Sequence, residues 1–261
     1  MSTPLLYLRS CVFMLLFALS TAIWAPICFL FALLPYRQHY NMTVLWNRFN
    51  IQAARLVCGI RYQIKGEENL PDEPAIVLCK HQSTWETLFL CYNLTRPLVF
   101  VYKRELNYVP FFGWGIALLR MIPINRSKGK DAFAQVVELG RQRLQEGRWP
   151  VLFPEGTRIP VGLKGKYKTG GARLAVEAGV PVIPIAVNSG ECWPKKPFIK
   201  KPGLITVSIG KPIRSAGLTP AELMQQVENW IESEMRVISS PGIYTIDNLP
   251  NHLEAASSDP A

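Results

Sequence analysis

Ala75-Ile76-Val77-Leu78-Cys79-Lys80-His81-Gln82-Ser83-Thr84-Trp85-Glu86 decides how this chain is read. Its first five residues form an uninterrupted apolar run, the pattern of a short strand buried on both faces. The next seven leave that strand with a histidine and reach a carboxylate five positions on. A histidine at a strand end is suited to act as a general base, because its unperturbed pKa of about 6.5 lets it take a proton near neutral pH. A carboxylate on the far ring nitrogen fixes the tautomer and stabilises the cation that forms. A plainer reading competes: Ser83 or Thr84 caps a helix and Glu86 sits in its first turn. With 3 His and 19 Asp plus Glu in 261 residues, chance supplies this spacing too readily for the pair to stand alone.

Working outward, strand-like and helix-like segments alternate from 66 to 211. Strands are expected at 75–79, 98–102, 121–124, 151–153, 182–187 and 204–209, and helices at 84–93, 130–146 and 170–177. This order argues an α/β fold, a mixed sheet flanked by helices. A last helix is expected over 219–236, opened by Thr219-Pro220-Ala221-Glu222, with a capping threonine, proline at the first helical position and glutamate at the third. The catalytic domain is expected over 66–240, with 241–261 as a loose polar tail.

Residues 1–65 read as N-terminal membrane-associated helices. No charge falls between Arg9 and Arg37, and the apolar run from Ser10 to Leu34 is 25 residues long. At 1.5 Å per residue that is about 37 Å, enough to cross a bilayer core of about 30 Å. Pro26 leaves two forms open, a kinked span or a re-entrant dip into one leaflet. A signal peptide is the rival, but the apolar stretch continues past its expected end. Arg37, Arg48, Arg55, Arg61 and Lys65 follow before any acidic residue, which places the main body on the cytoplasmic side. Residues 38–66 look like an amphipathic helix stopped near Gly59, packed on the core or lying on a membrane surface.

A net charge of +10 implies an anionic partner or an anionic membrane. Nucleic acid is disfavoured: no zinc-finger spacing, RNA-binding signature or basic helix with heptads occurs. Six cysteines, none spaced as a CxxC pair, suggest neither a zinc site nor a disulfide framework.

Three cationic segments follow strand candidates. Phe153-Pro154-Glu155-Gly156-Thr157-Arg158 offers backbone N–H groups, a hydroxyl and a guanidinium, a set suited to phosphate. Its plain reading is a turn in which Glu155 pairs with Arg158. Ile122-Pro123-Ile124-Asn125-Arg126 and Lys103-Arg104 also place cations just past strands. In α/β proteins ligands bind at the carboxyl ends of strands, so the three could converge there. The apolar segment 108–119 has three readings: core, a membrane-contacting face, or a channel for an acyl chain.

Taken together, these motifs resemble those of the glycerolipid acyltransferases, and within them the 1-acyl-sn-glycerol-3-phosphate acyltransferases. The resemblance lies in His81 and Glu86, in Ile122–Arg126, in the Phe-Pro-Glu-Gly-Thr-Arg block at 153–158, and in the apolar, proline-containing Val180–Val187. It covers about residues 60–215. It departs at the first block, where the family usually has Asn-His and a closing Asp; here Lys80 adds a cation available to a phosphate or to the donor.

The resemblance implies transfer of a fatty acyl group from acyl-CoA or acyl-carrier protein to the sn-2 hydroxyl of a membrane lysophospholipid, with no cofactor and no metal. His81 would be the base and Glu86 its orienter. Lys103, Arg126, Gly156, Thr157 and Arg158 would bind the acceptor, while Glu155 shapes their loop. A hydrolase using Ser83, a non-catalytic lipid-binding protein, and the same chemistry on another lysolipid such as a lyso-ornithine lipid are the alternatives.

Overall fold

A computed structural model of the chain describes residues 2–109, 112–125 and 129–244. Arg126 and most of the 241–261 tail lie outside the described residues. Seven strands form one sheet: β1 (Ile60–Lys65), β2 (Ile76–Cys79), β3 (Leu98–Lys103), β4 (Ile122–Ile124), β5 (Trp149–Leu152), β6 (Val182–Val187) and β7 (Gly203–Ile209). Their order is β1-β7-β6-β2-β5-β3-β4. Every neighbouring pair is parallel except β6 with β7. The sheet is therefore mixed, with β2 at its centre.

β2 and β6 are buried at every position, as central strands with both faces covered must be. Alternate residues serve two cores. Val77, Cys79, Ile183 and Ile185 face one cluster with Trp85 and Phe89, while Ile76, Leu78, Val182 and Ala186 face another with Leu174 and Val227. The first layer holds α1 (Thr3–Phe31), α2 (Tyr36–Ala53) and α3 (Trp85–Asn93). The short α4 (Phe112–Leu118) packs against α1, and α5 (Gly129–Gln145) flanks β4. The second layer holds α6 (Gly170–Ala178) and α7 (Pro220–Ile238). Thr219 and Glu222 form the reciprocal cap that starts α7, with Glu222 Oε2 accepting from the Thr219 N–H at 2.8 Å.

The helix expected over 38–66 needs correction. It ends in one wide turn at Ala54–Cys58, Gly59 turns the chain at φ +73°, and Ile60–Lys65 pairs with β7 as an edge strand. Ile60, Tyr62 and Ile64 alternate with Arg61, Gln63 and Lys65, a period of two that a helical reading of the whole segment overrode. The sheet thus begins before the 65/66 boundary.

Among the described residues, α1 is the one helix long and apolar enough to cross a membrane. It does not stand away from the body. Near its start Ser10 Oγ accepts the Lys200 N–H at 2.9 Å, and Phe13 packs edge-on to Trp193 at 5.0 Å. Near its end Phe29 meets Trp114 of α4 at 6.1 Å. Its outward face, with Leu8, Leu15, Leu19, Ile23 and Leu30, is exposed.

Gly66 closes β1 at φ +76°, and a Cβ there would lie 2.1 Å from the Ile209 carbonyl oxygen at the end of β7. Strained backbone and a backbone clash together make Gly66→Ala costly, by about 2 kcal/mol or more. In a chain this long that lowers the melting temperature by about 4 °C or more, measurable by calorimetry.

Candidate active site

β2 and β5 are parallel neighbours, so the loops leaving their carboxyl ends lie side by side. One carries His81 and the other begins at Phe153. The His81 ring stacks flat on the Phe153 ring, with centroids 3.8 Å apart and planes 14° apart. His81 Nδ1 lies 2.8 Å from Glu86 Oε1. A carboxylate at that distance requires the proton on Nδ1, which leaves the lone pair on Nε2. His81 keeps 17% of its side chain exposed, whereas Glu86 is buried.

Glu86 does more than orient the ring. Oε1 also accepts the backbone N–H groups of Gln82 at 2.9 Å and Ser83 at 2.7 Å, and Oε2 accepts the Ser189 hydroxyl at 2.6 Å. The two readings of Glu86 are therefore both physically present. It accepts the backbone N–H groups of the turn leading into α3 and faces the histidine with the same oxygen. Ser189 follows β6, on the other side of β2, and nothing local in the sequence marks it. Ser83 is buried, and its hydroxyl accepts the Trp85 N–H at 3.0 Å. It braces the turn into α3 and is not placed as a nucleophile. Burial holds the Cys79 thiol well above its ordinary pKa, so it does not serve as one either.

The loop after β5 is tied to the histidine loop twice. Glu155 Oε2 accepts the His81 N–H at 3.1 Å, and the Ile159 N–H donates to the His81 carbonyl at 2.8 Å. Glu155 Oε1 lies 2.7 Å from Lys80 Nζ. Glu155 and Arg158 do not pair; Arg158 Nη1 instead donates to Thr84 Oγ1 at 3.1 Å. Gly156 turns the loop at φ +70° and Thr157 is exposed, 3.4 Å from Lys195 Nζ.

Lys80 is not available to a phosphate or to the donor. Its side chain has no exposed surface. Burial alone would favour the neutral amine, but Glu155 and Glu232 outweigh it and hold the pKa above the usual lysine value.

A cavity of about 1300 Å³ opens at His81. Its wall includes Phe17, Thr21 and Ala25 of α1, Val44 of α2, Leu88 of α3, Ile116 of α4 and Leu119 just past it. His81, Phe153, Gly156, Lys168 and Arg173 line the end where the loops meet. Lys168 and Arg173, cations absent from the sequence-based site, follow Tyr167 into the start of α6. The segment 108–119 divides its roles: Val109, Gly115, Ile116 and Leu119 line the cavity, while Tyr108, Trp114 and Leu118 are exposed. Lys103 ends β3, two strands from β2; it is exposed and lies outside the cavity wall. Among the described residues no group of three or more His, Cys, Asp or Glu is placed to hold a metal ion.

Loss of the Ser189 hydroxyl leaves Glu86 Oε2 without its 2.6 Å donor. A hydrogen bond to a charged group is worth about 1.5–3 kcal/mol. Ser189→Ala is therefore expected to slow turnover about ten-fold or more, read as kcat with the melting temperature as a folding control.

The family model described as acyltransferase matches residues 61–188. A 1-acyl-sn-glycerol-3-phosphate acyltransferase of Pseudomonas aeruginosa is 48% identical over 237 residues, 89% of this chain and 92% of that protein. The mouse 1-acyl-sn-glycerol-3-phosphate acyltransferase alpha is 31% identical over 78% of this chain and 73% of its own length. The crystal structure of the 1-acyl-sn-glycerophosphate acyltransferase of Thermotoga maritima has the same fold, with a TM-score of 0.74 at 22% identity, covering 88% of this chain and 94% of that one. The chain belongs to the 1-acyl-sn-glycerol-3-phosphate acyltransferase family and is an O-acyltransferase.

Proposed function

We propose that this enzyme moves a fatty acyl group from the thioester of acyl-CoA or acyl-carrier protein to the sn-2 hydroxyl of 1-acyl-sn-glycerol 3-phosphate, giving phosphatidic acid. One observation carries the reading: the His81–Glu86 pair opens into a cavity whose far wall is apolar and whose near end holds cations. At about 1300 Å³ the cavity exceeds the range usual for small-ligand pockets and has room for an acyl chain.

His81 Nε2 takes the proton of the glycerol hydroxyl as its oxygen attacks the thioester carbonyl. Glu86 stabilises the imidazolium that forms. Collapse of the tetrahedral adduct breaks the C–S bond, and the imidazolium returns its proton to the departing thiolate. The nucleophile and leaving group both belong to substrates, so no enzyme-bound acyl intermediate and no cofactor enter. Arg158 holds the acceptor phosphate, with Thr157 and the Gly156 loop contributing around it. Glu155 fixes the loop from behind.

The membrane supplies the acceptor. The exposed apolar face of α1, joined by Leu45, Phe49 and Leu56, lies in one leaflet with the catalytic body on the cytoplasmic side. Contacts at both ends of α1 with the body support a helix that dips rather than spans.

Three variants test this reading in assays of the purified protein with several lysolipids and both donor types. His81→Ala is expected to abolish transfer while sedimentation with membranes persists; near-normal turnover would remove His81 as the base. Arg158→Ala should raise the KM for the phosphorylated acceptor by about ten-fold or more and leave the donor KM near its original value. An unchanged acceptor KM would refute the phosphate role. Gly115 lines the cavity, and beyond its own helix backbone and chain neighbours nothing lies within 4 Å of where its Cβ would be. Gly115→Phe should therefore shift preference toward shorter acyl chains, read from competition between donors of different length.

A further inference from the structure

Lys80 and Glu232 form a buried pair that the reaction scheme above does not use. Lys80 Nζ lies 2.7 Å from Glu155 Oε1, 2.8 Å from Glu232 Oε1 and 3.4 Å from the Leu163 carbonyl. Tyr167 donates its hydroxyl to the same Glu232 oxygen at 2.7 Å. Glu232 stands on α7, outside the 61–188 stretch matched by the family model. Contacts from the same end of the chain brace the neighbouring loops. Gln82 Nε2 donates to Tyr244 Oη at 2.7 Å, and Asn188 Nδ2 donates to the Ile238 carbonyl at 3.0 Å.

We propose that Lys80 and Glu232 are positioning residues for acyl transfer: they clamp Glu155 between α7 and the catalytic loop, and Glu155 sets the backbone at His81. α7 is then part of the active site. The inference rests on His81 being the base.

The argument is one of buried charge. A carboxylate without water needs a cation or several donors. One lysine and two glutamates leave a net single negative charge, tolerated with Tyr167, Gly165 N–H and His81 N–H as further donors. Removing the cation alone leaves two buried carboxylates facing each other. One must take up a proton or turn away. Either response changes what Glu155 presents to His81. If Glu232 also becomes glutamine, its amide can donate to Glu155 where the ammonium stood, and its carbonyl still accepts from Tyr167. The net charge returns to its original value. Independent losses would accumulate, whereas this coupling makes the second change reverse the first.

The test uses the full chain as Lys80→Met, Glu232→Gln and the double variant, assayed with a lysolipid the parent enzyme accepts and with melting temperatures measured alongside. Lys80→Met is expected to lower kcat about a hundred-fold while the acceptor KM moves by less than about three-fold, within the span of general-base effects. The double variant should recover at least about ten-fold of that loss. Lys80→Met with the parent's kcat would overturn the proposal, as would a folded double variant no faster than Lys80→Met. Should Lys80→Met not fold, Lys80→Arg keeps the charge but misfits an enclosed site. A lowered kcat at unchanged KM then supports the proposal, and an unchanged kcat overturns it. A parent enzyme inactive on every lysolipid would instead refute the acceptor assignment, leaving the clamp to be judged with whichever acyl acceptor is found.

Discussion

The parallel pairing of β2 with β5, Val77 opposite Val151 and Leu78 opposite Leu152, is the constraint on which the site depends. Parallel neighbours deliver their carboxyl ends to the same edge about 4.8 Å apart. His81 lies three residues past Leu78, and Phe153 lies one past Leu152. That offset lets the imidazole stack on the phenyl ring at 3.8 Å. An antiparallel β5 would send residues 153–158 to the opposite edge, and no loop of that length could return them. β6, also parallel to β2, brings Ser189 to the same edge from the other side. Three strands thus supply the histidine, its stacking partner and the donor that steadies its carboxylate.

Two buried glutamates then turn loop backbone into fixed geometry. Glu86 gathers two backbone N–H groups, a hydroxyl and the imidazole. Glu155 gathers the His81 N–H, the Gly165 N–H and the Lys80 ammonium. Each carboxylate has more donors than a surface residue could hold, and each ties the 80–83 turn to a second segment, Ser189 through Glu86 and Gly165 through Glu155. The cost of burying the charge is offset by these bonds, and the loops lose their freedom to drift.

Much of this was legible in the sequence because the signals were local. Apolar runs of four to six residues marked β2 and β6, and Thr219 with Glu222 marked the start of α7. The His81–Glu86 spacing gave the pair, because both sit on one strand-to-helix turn. What stayed hidden was non-local. Lys80 reads as a free cation until Glu232, 152 positions away, is brought against it. Ser189 reads as a loop serine until β6 lies beside β2. β1 was masked by a different failure: a helical stripe through 46–57 ran into a strand whose alternation spans only six residues.

The cavity argues that α1 is more than an attachment. Phe17, Thr21 and Ala25 share a wall with His81, so the helix closes the space in which the chemistry is proposed to occur. In the proposed reaction, water that reached the histidine would compete with the lipid hydroxyl as nucleophile, and the thioester would be hydrolysed. Stripping α1 away would expose the apolar lining from α2, α3 and α4 along that flank. In the proposed reaction, which must favour an alcohol over water, α1 is the side of the chamber that keeps water out. The buried Ser10 and Phe13 hold that side of the chamber against the body. A helix serving only as a tether would have no reason to dock a serine onto the Lys200 backbone or a phenyl ring against Trp193.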